Sequence, residues 1–256
     1  MGWLTGLKKS TLQHGEEIAL ENCDIPVKFH RHPKARRLSL RINPANRSAI
    51  ITAPPTCSDK ETLKFLEQNV AWLHKQFEQI PDAIPFHHGR TIPFRGREHK
   101  IQFAGQTRGQ GVVWQTEPEG ETKDQIPKLY VNGAPQFAPR RLKNWLIKEA
   151  RKDLCERSLW HANNLGLKFK KITVKDQRSR WGSCSSSGVL SYSWRLILCP
   201  TDVLDYVTAH EVAHLKEMNH SPNFWALVHK TMPNYKAPKT WLRKNGTDLH
   251  CYGAEE

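Results

Sequence analysis

The stretch His210-Glu211-Val212-Ala213-His214 has the pattern H-E-x-x-H, and His220 follows it six residues later. On a helix, residues four positions apart lie on one face, with Cβ atoms about 5–6 Å apart. Two imidazoles at this spacing can bind one zinc ion, with Zn–N distances of about 2.0–2.1 Å. Glu211 then lies about 100° round the helix and can reach a metal-bound water without being a ligand.

The residues before the motif favour an inward-facing site. The chain contains 13 histidines, so the pattern alone carries a real risk of coincidence. However, Val203, Tyr206 and Val207 precede His210 at helical spacing, so an apolar stripe runs into the two histidines. Buried imidazoles need partners, and a metal ion is an effective one.

A third ligand is expected close to the helix. Ser221 and Pro222 resemble the N-cap and first residue of a new helix, so a short turn would let His220 return to the metal. Glu217 is the rival ligand, but on a continuous helix it points away from the metal side of His210. We prefer His220, because three protein ligands leave one position for water, which is the arrangement of catalytic zinc sites.

The whole chain limits the possible protein classes. No apolar run approaches the roughly 20 residues needed to span a membrane, and the N-terminus lacks the apolar core of a signal peptide, so we expect a cytosolic protein. Six scattered cysteines without a C-x-x-C pair favour free thiols over a disulfide framework. The net charge of +14 favours polyanionic partners, including nucleic acid.

The N-terminal half predicts a small β-rich subdomain. Residues 1–22 are polar and aperiodic and are interpreted as a loose arm. Residues 23–135 are expected to hold an antiparallel meander at 25–53 and one helix at 58–79, capped by Ser58 and Glu61. The Gly- and Glu-rich stretch 105–127 is interpreted as a long mobile hairpin loop.

Residues 136–256 are expected to form the catalytic domain. A helix is predicted from Gln136 to about Asn164, ended by Gly166. Strands are predicted to start at Lys171 and to run from Val189 to Cys199, and the motif helix and two further helices follow. The edge at 189–198 is predicted to pair with an extended substrate.

Several segments together resemble the YgjP-like metallopeptidases, a family related to the SprT and Spartan zinc proteases. The resemblance rests on Arg180-Trp181-Gly182-Ser183-Cys184-Ser185, Trp194-Arg195-Leu196, the H-E-x-x-H stretch, and Asn219-His220-Ser221-Pro222-Asn223-Phe224-Trp225. It implies an α+β fold, with a zincin-like domain of helices on a small, mostly antiparallel sheet and an N-terminal β-rich/α subdomain. It also implies one Zn²⁺ per chain bound by His210, His214 and His220, with Glu211 as catalytic base.

The remaining candidate residues surround this centre. An electrophile should stabilise the oxyanion formed during peptide hydrolysis. Tyr235, Arg180 and His229 are the candidates, and Tyr235 is preferred because it lies in a predicted rim loop after the second helix. Arg180 and Trp181, from the R-W-G-S-C-S segment, are candidate substrate-binding residues.

Three alternatives stay open. The chain could be a nucleic-acid-binding module with structural zinc, supported by its charge and by basic faces at 31–41 and 140–152. It could be a protease that acts on DNA-bound proteins, as the Spartan relationship suggests. It could also be an inactive zincin scaffold, against which the intact Glu211 argues.

Overall fold

Two compact units, Met1–Asp82 and Ala83–Glu256, make up the chain in the computed structural model. The structure describes residues 11–20, 22–43, 47–78, 82–117, 126–177 and 180–254. The division differs from the predicted boundary between 135 and 136. The predicted catalytic region therefore shares its unit with residues 83–135.

The first unit is a four-stranded sheet with two helices. Its strands are β1 (Glu17–Leu20), β2 (Cys23–Arg31), β3 (Ser39–Asn43) and β4 (Ser48–Ala53), in the order β1-β2-β4-β3. β2 and β4 are parallel, so the predicted antiparallel meander is wrong at this pair. Most of β4 is buried, as is typical of a central strand. The alternation of apolar and polar residues at 37–42 predicts an apolar face for β3 but does not identify its partner strand.

Two further predictions for this unit need correction. Residues 1–10 of the predicted arm lie outside the described residues, but Glu17–Leu20 form β1, which pairs with β2 and buries Ile18. The single helix predicted at 58–79 is two helices, α1 (Asp59–Gln68) and α2 (Val70–Glu78). Asn69 separates them because its side-chain amide donates to the Phe65 carbonyl and replaces a helical contact. The capping box of Ser58 and Glu61 is confirmed.

The second unit begins with a sheet of the same connectivity. Strands β5 (Thr91–Phe94), β6 (Arg97–Gly105), β7 (Val113–Thr116) and β8 (Lys128–Asn132) lie in the order β5-β6-β8-β7. Their apolar side chains share one core with the long helix α3 (Ala138–Leu165), which explains why this sheet belongs to the second unit. β7 lies within the stretch predicted as a loop, and residues 118–125 of that stretch lie outside the described residues. Gly166 ends α3 in a left-handed conformation, as predicted.

A three-stranded sheet leads into the motif helix. β9 (Lys171–Lys175), β10 (Gly182–Cys184) and β11 (Val189–Ser193) lie in the order β10-β11-β9. The strand predicted from Val189 to Cys199 ends at Ser193, because Trp194–Leu198 form a buried 3₁₀ helix. β11 is central and is paired with a strand on each side, so the segment 189–193 offers no free edge for a substrate, and β10 and β9 are the two edge strands of this sheet.

The last three helices surround the histidine motif. α4 (Thr201–Ala213) packs against α3 and β10, and also against α5 (Pro222–Thr231) and α6 (Lys236–Asn245). Ser221 caps α5 and Pro222 is its first residue, as predicted. The α+β class is confirmed. Each of the three described sheets contains one parallel pair, and the other five strand pairs in the described residues are antiparallel. No helix in the described ranges is long and apolar enough to cross a membrane.

Candidate metal centre

Helix α4 carries the first two histidines on its buried side. Ala209, Val212 and Ala213 are fully buried around them, which fixes the orientation of the helix. His210 lies in the last turn of α4, and His214 is its C-cap residue. The apolar stripe inferred from the sequence therefore directs both imidazoles toward the same side of the helix.

His220 returns to these two histidines from the turn before α5. Its Nε2 lies 3.1 Å from Nε2 of His210, and Nε2 of His214 lies 3.2 Å from the same atom. One ligand atom from each residue falls within a group no more than 4.8 Å across. Nitrogens bonded to one tetrahedral zinc at 2.0–2.1 Å are about 3.3 Å apart, so the arrangement fits such an ion.

Glu217 takes part through its backbone. Nδ1 of His214 lies 2.9 Å from the carbonyl oxygen of Glu217. A proton donated from Nδ1 to this carbonyl leaves Nε2 of His214 with a free lone pair, which is the usual way in which a ligand histidine is oriented. The rival ligand predicted from the sequence therefore contacts the site as an orienting carbonyl.

Two of these histidines, His210 and His214, are held in their neutral form. Burial, together with the charges of His214, His220 and Lys239, lowers the pKa of His210 to about 3. Burial also lowers the pKa of His214. Neutral imidazoles keep the lone pair that a metal ion requires.

Phe224 forms an apolar wall behind the three rings, a role that the sequence reasoning missed. Its ring centroid lies 4.9, 4.5 and 4.8 Å from the rings of His210, His214 and His220, respectively. In the sequence, the spacing of Phe224 with Trp225, Val228 and Met232 predicts only a place in the buried stripe of α5. Its position four residues after His220, on a helix capped at Ser221, was the available signal.

Glu211 is buried beside the histidines, with its side chain pressed against β10. It is 5% exposed, and a Cβ atom at Gly182 would lie 2.6 Å from both its Cγ and its Oε1. Only glycine leaves room for this carboxyl group. Burial raises the pKa of Glu211 to about 8, and the positive charge of Arg180 opposes the increase.

A family model for the YgjP-like metallopeptidase domain matches residues 36–245. The chain belongs to the YgjP-like family. Among solved structures, it is similar to the metallopeptidase zymogen of Pyrococcus abyssi abylysin, with 21% identity and a TM-score of 0.33 over 36% of this chain and 92% of that one. No curated protein matches the chain.

The residues of the R-W-G-S-C-S segment in this YgjP-like domain make different kinds of contact. Arg180 is exposed and acts electrostatically on Glu211. Trp181 stacks on His250 at 5.1 Å and lies beside Gly246, so its indole ring is engaged in packing. Cys184 ends β10 and precedes the hairpin turn, and burial raises its pKa to about 11. Its thiol is therefore neutral at physiological pH.

The structure also places two oxyanion candidates near the YgjP-like centre. Tyr235 stacks on Trp225, with ring centroids 5.2 Å apart, and Trp225 stacks in turn on His220 at 6.0 Å. His229 is exposed and contacts Tyr235 edge-on at 6.5 Å. One ring, that of Trp225, separates Tyr235 from His220, whereas His229 contacts Tyr235 and is one ring further from His220.

The stability of the metal-free YgjP-like protein is expected to decrease as the pH rises from 6.5 to 8.5. Glu211 keeps its proton in the fold up to a pKa of about 8, whereas it ionises near 4.5 when unfolded. Unfolding thus releases a proton in this window, and rising pH favours the unfolded chain by about 2 kcal/mol. In thermal melts with EDTA, the melting temperature of Glu211→Gln should decrease less between pH 6.5 and 8.5 than that of the wild type. An equal decrease in the two proteins would contradict this explanation.

Proposed function

We propose that this metallopeptidase domain uses one Zn²⁺, bound by His210, His214 and His220, and hydrolyses peptide bonds with Glu211 as general base. The observation that carries the proposal is the convergence of three Nε2 atoms beside a buried carboxyl group. Three protein ligands leave a position for water or substrate, as in catalytic zinc sites. A closed structural site would use a fourth protein ligand.

Glu211 is suited to carry a proton in both directions. A zinc ion in this site supplies Lewis-acid activation of water and of the peptide carbonyl. Glu211 accepts the proton of the attacking water and donates it to the leaving amine. Burial favours the protonated form of Glu211 in the metal-free site, whereas a bound zinc ion would favour the carboxylate form that accepts a proton.

The substrate is proposed to bind as an extended strand along β10. This strand is at the edge of its sheet, and Gly182 within it contacts Glu211. Backbone pairing at an edge aligns a polypeptide without selecting its side chains. Tyr235 is proposed to stabilise the oxyanion because its ring is linked to His220 through Trp225.

Metal content tests the ligand set directly. Wild-type protein should bind one zinc per chain, and casein cleavage should stop with a chelator and return with added zinc. His220→Ala should weaken zinc binding by more than about 100-fold, because even orienting residues around a metal contribute 10- to 100-fold.

Glu217→Ala provides the matched control. It should retain zinc because Glu217 contacts His214 through its backbone carbonyl, which alanine keeps. Zinc loss in Glu217→Ala together with retention in His220→Ala would reassign the third ligand. Stoichiometric zinc without any cleavage would favour the structural-zinc alternative.

A further inference from the structure

Helix α6 carries a row of positive charges along one face. Lys236, Lys239 and Arg243 are three and four residues apart, so they fall within an arc of about 60°. All three are exposed. We call this row the α6 cationic stripe.

The stripe begins beside the histidines. Nζ of Lys239 lies over the ring of Trp225, 3.9 Å from its centroid. The same ring lies 6.0 Å from those of His210 and His220. The stripe is therefore connected to the centre by one aromatic side chain.

No acidic group neutralises the stripe within the part of the chain that the structure describes. Its members form no ion pair there, whereas Arg95, Arg157 and Arg195 of the same unit are all paired with carboxylates. Between Leu215 and Asn245 the sequence has six Lys or Arg residues and a single acid, Glu217. The region beside the histidines thus presents unpaired positive charge to whatever enters the site.

We propose that the α6 cationic stripe binds acidic side chains of a polypeptide substrate. The proposal deepens the proposed peptidase function and rests on it for the identity of the ligand as a polypeptide. The stripe is complementary in charge to Asp and Glu, and its connection to the centre through Trp225 places it within a few residues of a peptide bound there. Backbone pairing at the edge of β10 would not distinguish between substrate side chains, so the α6 cationic stripe would provide the selectivity for acidic side chains.

The aromatic contacts favour a peptide over nucleic acid. Single-stranded nucleic acid binds through positive charge together with aromatic faces on which bases stack. Here the ring of Trp225 is already stacked with Tyr235 and covered by Lys239, and Trp181 is stacked on His250. These contacts occupy the ring faces that a base would need.

Two fluorescein-labelled decapeptides, identical except for three Asp in one and three Asn in the other, test the proposal. Binding is measured by anisotropy at low salt with zinc-supplemented Glu211→Gln protein, so that no cleavage interferes. The Asp peptide should bind about tenfold more tightly, since each exposed charge pair contributes only a few-fold. Adding Lys236→Gln, Lys239→Gln and Arg243→Gln should reduce this preference to within about twofold.

A matched control changes the same charge elsewhere. Lys148→Gln, Arg151→Gln and Lys152→Gln replace exposed cations on α3. Lys152 lines a cavity with Thr201 and Asp202, at the opposite end of α4 from His210 and His214. This control variant should keep the preference for the Asp peptide.

Equal binding of the two peptides would overturn the inference, and so would an equal loss of preference in the control variant. A third contradicting result would be that the stripe substitutions weaken binding of a 20-nucleotide oligothymidylate more than binding of the Asp peptide. Because binding is measured without hydrolysis, failure of the peptidase proposal would show separately, as absence of casein cleavage by wild-type protein.

Discussion

A Glu211→Gln variant is expected to retain its zinc and to lose peptide hydrolysis by about a thousandfold. Positioned general bases contribute about 10²–10⁴-fold to rate, and the amide of glutamine cannot accept the proton of water. Glutamine has nearly the same shape as glutamate, so it should still fit against Gly182. Zinc stoichiometry and cleavage of a fluorogenic peptide provide the two measurements.

Glu217→Gln is the control for this substitution. It makes the same chemical change at a residue that contacts His214 through its backbone carbonyl oxygen, which the substitution keeps. It should keep both zinc and activity. Normal hydrolysis by Glu211→Gln would remove Glu211 from the mechanism.

Gly182→Ala is expected to lower kcat by about 100-fold while zinc content and fold are retained. The added Cβ would lie 2.6 Å from Oε1 of Glu211, so the carboxyl group must move. Displacement of a catalytic group by about 1 Å can cost about 10²-fold in rate. Gly182 is not among the glycines with positive φ, so alanine fits the backbone and the damage falls on Glu211.

The double variant separates this explanation from a defect in substrate binding. If Gly182 acts through Glu211, then Gly182→Ala should cost little further in a Glu211→Gln background. An equal loss in both backgrounds would instead assign Gly182 to the substrate edge of β10. Ser183→Ala, at the next position in the same strand, should have a small effect.

The convergence of the three histidines could be predicted because its geometry is local. The helical spacing of His210 and His214 and the turn signals at Ser221 and Pro222 are properties of a short stretch of sequence. The structure brings the same three histidines together. The caps at Ser58 and Gly166 were predictable for the same reason, since each depends on a few neighbouring residues.

The contact between Gly182 and Glu211 could not be predicted, because it joins two elements distant in sequence. Glycine in a turn-rich stretch usually indicates a turn, and nothing local shows that a buried carboxyl group approaches it. The predicted antiparallel pairing in the first sheet was wrong for a related reason. Alternation at 37–42 predicts which face of β3 is apolar, but the parallel neighbour of β4 depends on the path of the whole sheet.

The positions of the three histidines in the sequence also affect the order in which the parts of the site form during folding. They occupy one helix and the turn after it, and contacts between residues close in sequence form early because the closure entropy of a short loop is small. The contact between Gly182 and Glu211 joins two separate elements, β10 and α4, and β10 belongs to a sheet with a parallel pair, so we expect this contact to form later. We therefore expect a newly made chain to acquire its metal before its base is aligned. An incompletely folded molecule would then hold zinc without being able to degrade its neighbours.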